Sequence, residues 1–298
     1  MKFSSGDLAI CMTCGNQYDV PYTSPPASCR ICDASNPHDD PRQYVPAGGQ
    51  SWTSLAREQN QQKNTISQDP SDPRIHFIST TPKVAGTLPA GLSDSTTTRK
   101  QLGIGQRCIL LQTPAGNVLW DLIAFIDDAT VETIKSKGGL KAIVISHPHF
   151  YTTHLEWARI FQCPVYVSSD DAEWMNREDR EGVRALIKGI EEIVPGEKKL
   201  FIADTMMSVP SGFYHKDRLP GTTSFSFMWS YPNMIPLPPA KVHRIWQALK
   251  PFAFETTYGG FPGQDVTRSD LKAQVLESMK IFLRTAGHEN AEIFRETL

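Results

Sequence analysis

Short apolar runs and helical apolar stripes alternate along the chain from about residue 74 to residue 298. Residues 141–146 centre on a continuous apolar run, which is typical of a strand buried on both faces of a sheet. Residues 269–284 carry apolar side chains at the three- and four-residue spacing of an amphipathic helix. This alternation predicts an α/β domain over residues 74–298.

The individual elements of this domain follow from the same patterns. The turn residues 114–117 separate two apolar strands and predict a β-hairpin. Two glycines at 138–139 predict the end of the preceding helix. The predicted strands cover residues 74–79, 107–113, 118–121, 141–146, 164–167 and 199–204, and the predicted helices cover residues 128–137, 155–161, 170–193, 241–249 and 269–284.

The first 73 residues differ in composition from the rest. Residues 1–45 are rich in Cys, Pro, Ser and Asp and lack periodic apolar positions, so they cannot bury a core unaided. Residues 46–73 are rich in Gln, Asn, Ser and Pro, which predicts an irregular connector with one short helix near residues 52–58. We therefore expect a small module at 1–45, a connector at 46–73 and the α/β domain at 74–298.

Composition and charge narrow the class of protein. The 298 residues are 40% hydrophobic and 21% charged, which indicates a globular chain. A net charge of −2 favours neither nucleic acid nor an anionic membrane as a partner. The chain has no N-terminal apolar run typical of a signal peptide and no stretch of the ~18–20 apolar residues that a membrane span needs. We expect a cytoplasmic protein, and the sequence leaves its oligomeric state open.

Four of the six cysteines form two C-x2-C pairs near the N-terminus. Each pair places two sulfurs on one side of a tight turn, and four thiolates suit the tetrahedral coordination of zinc. A pair of disulfides and a redox motif are the alternatives, but disulfides are uncommon without secretion and a redox C-x2-C normally occurs once. The predicted ligands of a structural zinc are Cys11, Cys14, Cys29 and Cys32.

A cluster of histidines follows the predicted strand at 141–146. His147 and His149 are two residues apart, so on an extended segment their side chains point the same way. His154 lies at the start of the next predicted helix, from where it can fold back towards the pair. Converging imidazoles can hold a divalent metal. The alternative is that each histidine is an ordinary surface or core residue.

A carboxylate completes the candidate site. Asp204 ends the apolar segment Leu-Phe-Ile-Ala-Asp, where a charge is costly unless it binds a metal or a hydrogen-bond donor. Its alternative role is a helix or loop cap. Asp121 ends the segment Val-Leu-Trp-Asp in a similar way, and we expect it to orient a metal ligand.

These motifs together resemble the metallo-β-lactamase superfamily. The hairpin that ends at Asp121 resembles an early strand pair of that fold. The run Ala-Ile-Val-Ile-Ser-His147-Pro-His149 resembles the strand that leads into the family's H-x-H-x-D-H motif, and Asp204 matches the aspartate that bridges two metals. The resemblance covers residues 74–298. With its N-terminal cysteine pairs, the whole chain resembles a branch of the superfamily that carries an N-terminal zinc-ribbon-like module.

The resemblance implies a four-layer αβ/βα sandwich and a hydrolase that works through a metal-bound hydroxide. By this carry-over His147 and His149 are ligands of a catalytic zinc, iron or manganese ion, and Asp204 is a further ligand. Asp204 and Tyr151 are the predicted catalytic residues. The expected substrate is a small molecule with an ester, thioester, amide or lactam bond.

The sequence departs from the family's motif at several positions. Tyr151 stands where the motif has aspartate, and Thr152 where it has the next histidine. His154 is two residues late, and no histidine lies between it and Asp204, so the third histidine ligand is missing. A natural variant and a splice or gene-model product both explain the missing loop.

Two functional hypotheses remain at this point. In the first, the protein is a metal-dependent hydrolase whose metal site is either left incomplete, with two histidines and one aspartate, or rebuilt from His154, His215 or His243. Alternatively, the protein is a catalytically inactive binding or adaptor protein that holds only the structural zinc.

Overall fold

The structure is a computed structural model that describes residues 2–33, 48–83, 102–188, 198–209 and 225–298. The chain divides into two compact units, Met1–Gly189 and Ile190–Leu298.

The first unit begins with a small antiparallel sheet of three strands. β1 covers Leu8–Cys11, β2 covers Gln17–Pro21 and β3 covers Trp52–Thr53, with β1 in the centre. The turn from β1 to β2 contains Gly15 at a φ of +83°, a conformation that favours glycine. All four cysteines of the C-x2-C pairs are buried beside this sheet.

A seven-stranded sheet follows in the same unit. Neighbouring strands in this sheet are also neighbours in sequence; β4 to β7 pair antiparallel, and β7 to β10 pair parallel. The seven strands are β4 Gln62–Gln68, β5 Ile75–Pro82, β6 Arg107–Leu111, β7 Val118–Trp120, β8 Ala142–Val144, β9 Val165–Ser168 and β10 Arg184–Ile187.

Three α-helices connect or flank these strands: α1 Leu55–Glu58, α2 Asp128–Ser136 and α3 His154–Phe161. Two 3-10 segments cover Pro148–Phe150 and Ser169–Trp174. The apolar face of α3 contributes the fully buried Trp157 to a core built on β6 to β9. The loop between β8 and α3 is therefore held between two packed elements.

The second unit contains two three-stranded sheets in its described residues, ordered β11-β15-β16 and β12-β13-β14. Its core gathers around buried aromatic and aliphatic side chains of β13 and of the helices α4 and α5. The elements are β11 Lys199–Phe201, β12 Met206–Ser208, β13 Phe225–Ser230, β14 Ile235–Pro236, α4 Pro239–Leu249, β15 Thr256–Tyr258, β16 Val266–Thr267, α5 Leu271–Thr285 and a 3-10 segment at Glu292–Arg295.

Most of the predicted elements are confirmed. The hairpin of β6 and β7, the buried strand β8 and the helices α2, α3, α4 and α5 lie within a few residues of their predicted positions. The mixed α/β class with a four-cysteine module at the N-terminus is confirmed as well. None of the helices in the described ranges is long and apolar enough to cross a membrane.

Two predicted segments differ from the structure. The prediction of a mostly helical segment at 170–193 is wrong. The described part of this segment forms a 3-10 turn and then β10, which pairs with β9 along four residues. Within the predicted connector the short helix is present, but residues 62–68 form β4. β4 carries polar side chains that weaken the apolar pattern, whereas β10 contains Arg, Ala and Leu, which favour a helix. In both strands tertiary pairing overrides local propensity. The bounds of the three predicted parts of the chain stay a prediction.

Candidate metal centre

The four cysteines of the two C-x2-C pairs converge on one point. Their sulfur atoms all lie within 4.8 Å of one another. The Sγ atoms of Cys11 and Cys32 are 3.9 Å apart, and those of Cys14 and Cys29 are 3.6 Å apart. A zinc ion with Zn–S bonds of about 2.3 Å requires sulfurs about 3.8 Å apart in a tetrahedron. The cluster therefore has the size of a closed tetrahedral metal site.

Three neighbouring polar groups donate hydrogen bonds to these sulfurs. The Asn16 amide donates to Cys14 Sγ at 3.4 Å, the Gln50 amide to Cys11 Sγ at 3.3 Å and the Tyr18 hydroxyl to Cys29 Sγ at 3.1 Å. Such donors stabilise thiolate ligands and fix their orientation. Sequence reasoning missed all three groups.

Electrostatics also favours a bound cation. Burial raises the pKa of the Cys14 thiol well above its ordinary value, because a buried thiolate has no water to stabilise it. A dication bound by the four sulfurs would supply the missing stabilisation and favour the deprotonated thiolates. The donor set thus fits zinc, and the cluster is a metal-binding site. Among the described residues it is the one group of three or more Cys, His, Asp or Glu donors with this geometry.

The histidine loop, defined here as residues 146–153, leaves the end of β8. His147 is extended, but a 3-10 turn over Pro148–Phe150 follows at once, so the predicted extended pair is bent. The rings of His147 and His149 nevertheless remain neighbours, with centroids 5.4 Å apart. His147 Nδ1 lies 2.9 Å from the hydroxyl of Ser146.

Two carboxylates lie close to this loop. Asp121, buried at the end of β7, accepts a 2.8 Å hydrogen bond from the Ser146 N–H, and its own N–H donates to Val144 O. Asp121 has a φ of +57°, which is unusual for a residue other than glycine and directs the carboxylate at the loop. Burial raises the pKa of Asp171, while the charge of nearby His147 opposes that rise. Sequence reasoning anticipated Asp121 but missed Asp171.

His154 does not fold back towards the other two histidines. Its Nδ1 lies 2.7 Å from the carbonyl of Tyr151, and Arg184 Nε donates to its Nε2 at 2.8 Å. Nδ1 therefore carries the proton and Nε2 is the acceptor. Burial, with the guanidinium charge of Arg184, lowers the pKa of His154 to about 3. With both nitrogens hydrogen-bonded, His154 offers no electron pair to a metal in this arrangement.

Tyr151 is also buried, with 2% of its surface exposed. Its hydroxyl donates to the backbone carbonyl of Asp171 at 3.3 Å, and its own carbonyl accepts from His154. Burial raises its pKa above the ordinary range of a tyrosine. These contacts hold the end of the histidine loop against the residues that follow β9.

The remaining candidate residues lie in the second unit. Asp204 is half-buried in the turn between β11 and β12, past the end of the strand that was predicted to carry it. Burial and, less strongly, the charge of Asp204 raise the pKa of Tyr231. His243 lies on α4 with its Nε2 2.8 Å from Glu296 Oε1. His215 lies outside the described residues.

The chain was compared with protein-family profiles and with solved structures. No protein-family profile matches it. Solved structures that resemble the chain include metallo-β-lactamase superfamily proteins. FIM-1 from Pseudomonas aeruginosa in its mono-zinc form is 12% identical with a TM-score of 0.44, covering 75% of this chain and 96% of that chain. An archaeal superfamily protein from Sulfolobus tokodaii is 12% identical with a TM-score of 0.37, covering 65% and 93%. At such values the likeness says nothing about ligands or reaction.

The chain is thus a mixed α/β protein with a buried four-cysteine metal-binding cluster. It is 32% identical over 302 residues to the uncharacterized protein YmaE of Bacillus subtilis (strain 168), and the match covers 96% of this chain and 98% of YmaE. The chain belongs to the same protein family as YmaE.

Proposed function

We propose that this protein is a metal-dependent hydrolase of a small molecule, with zinc on the four cysteines and a second divalent metal on His147 and His149. The observation that carries the proposal is the pair of neighbouring imidazoles directly beyond β8. β8 lies between two parallel neighbours, and ligands of parallel sheets bind beyond the carboxyl ends of the strands.

The proposed roles follow from the contacts of each residue. His147 and His149 supply nitrogen ligands, and the ligand role of Asp204 stays a prediction from the sequence. Asp121 orients the loop through the Ser146 N–H. Asp171 lies near His147, and a carboxylate neighbour makes an imidazole a better ligand. Tyr151, which the sequence suggested as catalytic, is proposed to hold the loop in place, because its hydroxyl and carbonyl are both hydrogen-bonded.

A metal held by His147 and His149 would lower the pKa of a coordinated water and polarise the oxygen of a substrate. The chain's own residues position the loop, because it lies between β8 and α3 and accepts hydrogen bonds from Asn16 and Gln17. We propose a carbonyl substrate with an ester, thioester, amide or lactam bond. Zinc, iron and manganese all suit a site with two imidazoles and a carboxylate.

A second candidate function is a binding or adaptor protein that holds only the structural zinc. Two observations favour it. In the described part of the chain only the four cysteines form a group of three or more donors with metal-site geometry. His154, the nearest replacement for the missing third histidine, is hydrogen-bonded through both nitrogens.

The deciding experiment is the metal content of the full-length protein. Purified wild type, the double variant His147→Ala/His149→Ala and the control His288→Ala, which alters an exposed histidine of the second unit, are compared by inductively coupled plasma mass spectrometry. The hydrolase proposal expects the double variant to hold one metal fewer than the wild type and the control. Equal contents of about one zinc in all three proteins would favour the binding or adaptor function.

Activity is then tested on the same three proteins. A panel of chromogenic esters, thioesters and lactams is assayed with added zinc, iron(II) or manganese. The proposal expects turnover by the wild type and the control, and loss of that turnover in the double variant. Equal turnover in the double variant would show that any hydrolysis arises elsewhere.

A further inference from the structure

The four-cysteine cluster and the histidine loop are joined by one side chain. Asn16 is 2% exposed and lies two residues after Cys14, where β1 has turned towards β2. Its amide nitrogen is 3.4 Å from Cys14 Sγ, 3.0 Å from the carbonyl of Pro148 and 3.4 Å from the carbonyl of His149. An amide has two N–H donors, so Asn16 binds the sulfur and the loop at the same time.

Neighbouring residues of the same turn also contact the loop. The Gln17 N–H donates to the carbonyl of Thr152 at 3.2 Å. A Cβ atom on Gly15 would lie 3.5 Å from the Thr152 methyl group and 2.7 Å from the Ala124 Cβ. Thr152 itself has a φ of +39°, which a β-branched residue adopts only when its surroundings hold it there. The turn therefore forms one wall of the histidine loop.

From these contacts we infer that Asn16 is a positioning residue that links the place of His149 to the metal-bound cysteines. A metal at the cluster fixes Cys14 Sγ, and a fixed thiolate is a stronger acceptor than a protonated thiol. The bound amide then holds the carbonyls of Pro148 and His149, which lie on either side of the His149 Cα atom. The N-terminal module thus acts as a template for the proposed metal site as well as a folded unit.

The importance of this link for catalysis rests on the proposed function, but the link is measurable without substrate or a second metal. Backbone amides of the loop report its opening directly. The Phe150 N–H donates to His147 O, and the Tyr151 N–H donates to Pro148 O. Their hydrogen exchange speeds up whenever the 3-10 turn opens.

The experiment compares three full-length, zinc-loaded proteins by hydrogen–deuterium exchange of residues 146–154. Asn16→Ala removes a donor to sulfur and the contact with the loop. Tyr18→Phe is the matched control, because it also removes a donor to a cluster sulfur, while its hydroxyl binds Cys29 Sγ and the Arg30 N–H instead of the loop. Transfer of zinc to a chromogenic chelator measures how far each variant weakens the cluster. Asn16→Gln, which keeps an amide, is the second variant if Asn16→Ala does not fold.

We expect faster zinc transfer from both variants. We expect loop exchange to rise about fivefold to tenfold in Asn16→Ala, which is the effect of one buried hydrogen bond, and to stay within about twofold of wild type in Tyr18→Phe. Unchanged loop exchange in Asn16→Ala would overturn the inference. An equal rise in both variants would also overturn it, since the loop would then respond to any loosening of the cluster.

This outcome is separable from the test of the proposed function. If loop exchange rises in Asn16→Ala while the wild type holds only one zinc, the positioning role of Asn16 is supported and the proposed second metal site is refuted. If wild type holds two metals while loop exchange is insensitive to Asn16, the inference fails and the proposed function stands.

Discussion

The N-terminal segment is attached to α3 through one buried carboxylate, and this contact predicts a pH-dependent stability. Glu156 accepts hydrogen bonds from the hydroxyls of Ser4 and Ser5 at 2.7 and 2.6 Å and from their N–H groups at 3.1 and 3.0 Å. Arg159 forms an ion pair with the same carboxylate. Replacement of Glu156 by Gln keeps the shape of the side chain but removes the charge.

The magnitude follows from the pKa of Glu156. Burial alone would raise it, but the hydrogen bonds from Ser5, Arg159 and Ser4 outweigh burial and lower the pKa from 4.5 to about 2. A pKa that is lower in the folded state contributes stability above the unfolded pKa, and this is lost as pH falls through the folded pKa. The contribution is therefore complete above about pH 4.5 and disappears towards pH 2. At ~1.36 kcal/mol for each pH unit, it amounts to roughly 3 kcal/mol.

Urea unfolding followed by circular dichroism, repeated between pH 7 and pH 3, measures this contribution. We expect Glu156→Gln to unfold more easily than wild type by about 2–3 kcal/mol at pH 7, with the difference shrinking below pH 4.5. Glu178→Gln is the control, because Glu178 pairs with Arg180 on the surface and such pairs contribute little. A difference between wild type and Glu156→Gln that stays constant from pH 7 to pH 3 would refute the reasoning.

Three further predictions concern the first unit. Cys11→Ser removes one thiolate, so we expect zinc to be lost and β1 to β3 to lose their protection in hydrogen exchange; a variant that keeps both would argue against a structural zinc. Gly15→Ala should destabilise the protein by about 1–3 kcal/mol more than Gly105→Ala in urea unfolding, since both have positive φ but only Gly15 also faces a steric clash. His154 should stay neutral, with its proton on Nδ1, in nitrogen-15 NMR spectra between pH 5 and pH 8, and added cobalt(II) should not replace the Arg184 hydrogen bond at Nε2; direct binding of cobalt to His154 would contradict this assignment.

Local sequence patterns predicted the elements whose cause is local. The hairpin of β6 and β7 has turn residues at its tip, and the apolar run of β8 is buried as its composition requires. The apolar pattern did not predict the polar strand β4. In β4 the inward-facing Asn64 binds the carbonyl of Phe125 and the hydroxyl of Thr130, so hydrogen bonds replace the apolar pattern that identifies a strand.

The candidate site divides in the same way. The spacing of the cysteines was enough to predict the metal cluster. Each C-x2-C turn presents two sulfurs, so contact between the two turns supplies all four ligands of a tetrahedral site. Only the tertiary structure showed that His154 is hydrogen-bonded to Arg184, which is 30 residues away in the chain. The role of Asn16 likewise depends on a carbonyl 132 residues away. Side chains two to four residues apart are placed by local backbone geometry. Partners from distant parts of the chain are chosen by the packing of the whole unit, which no local pattern encodes.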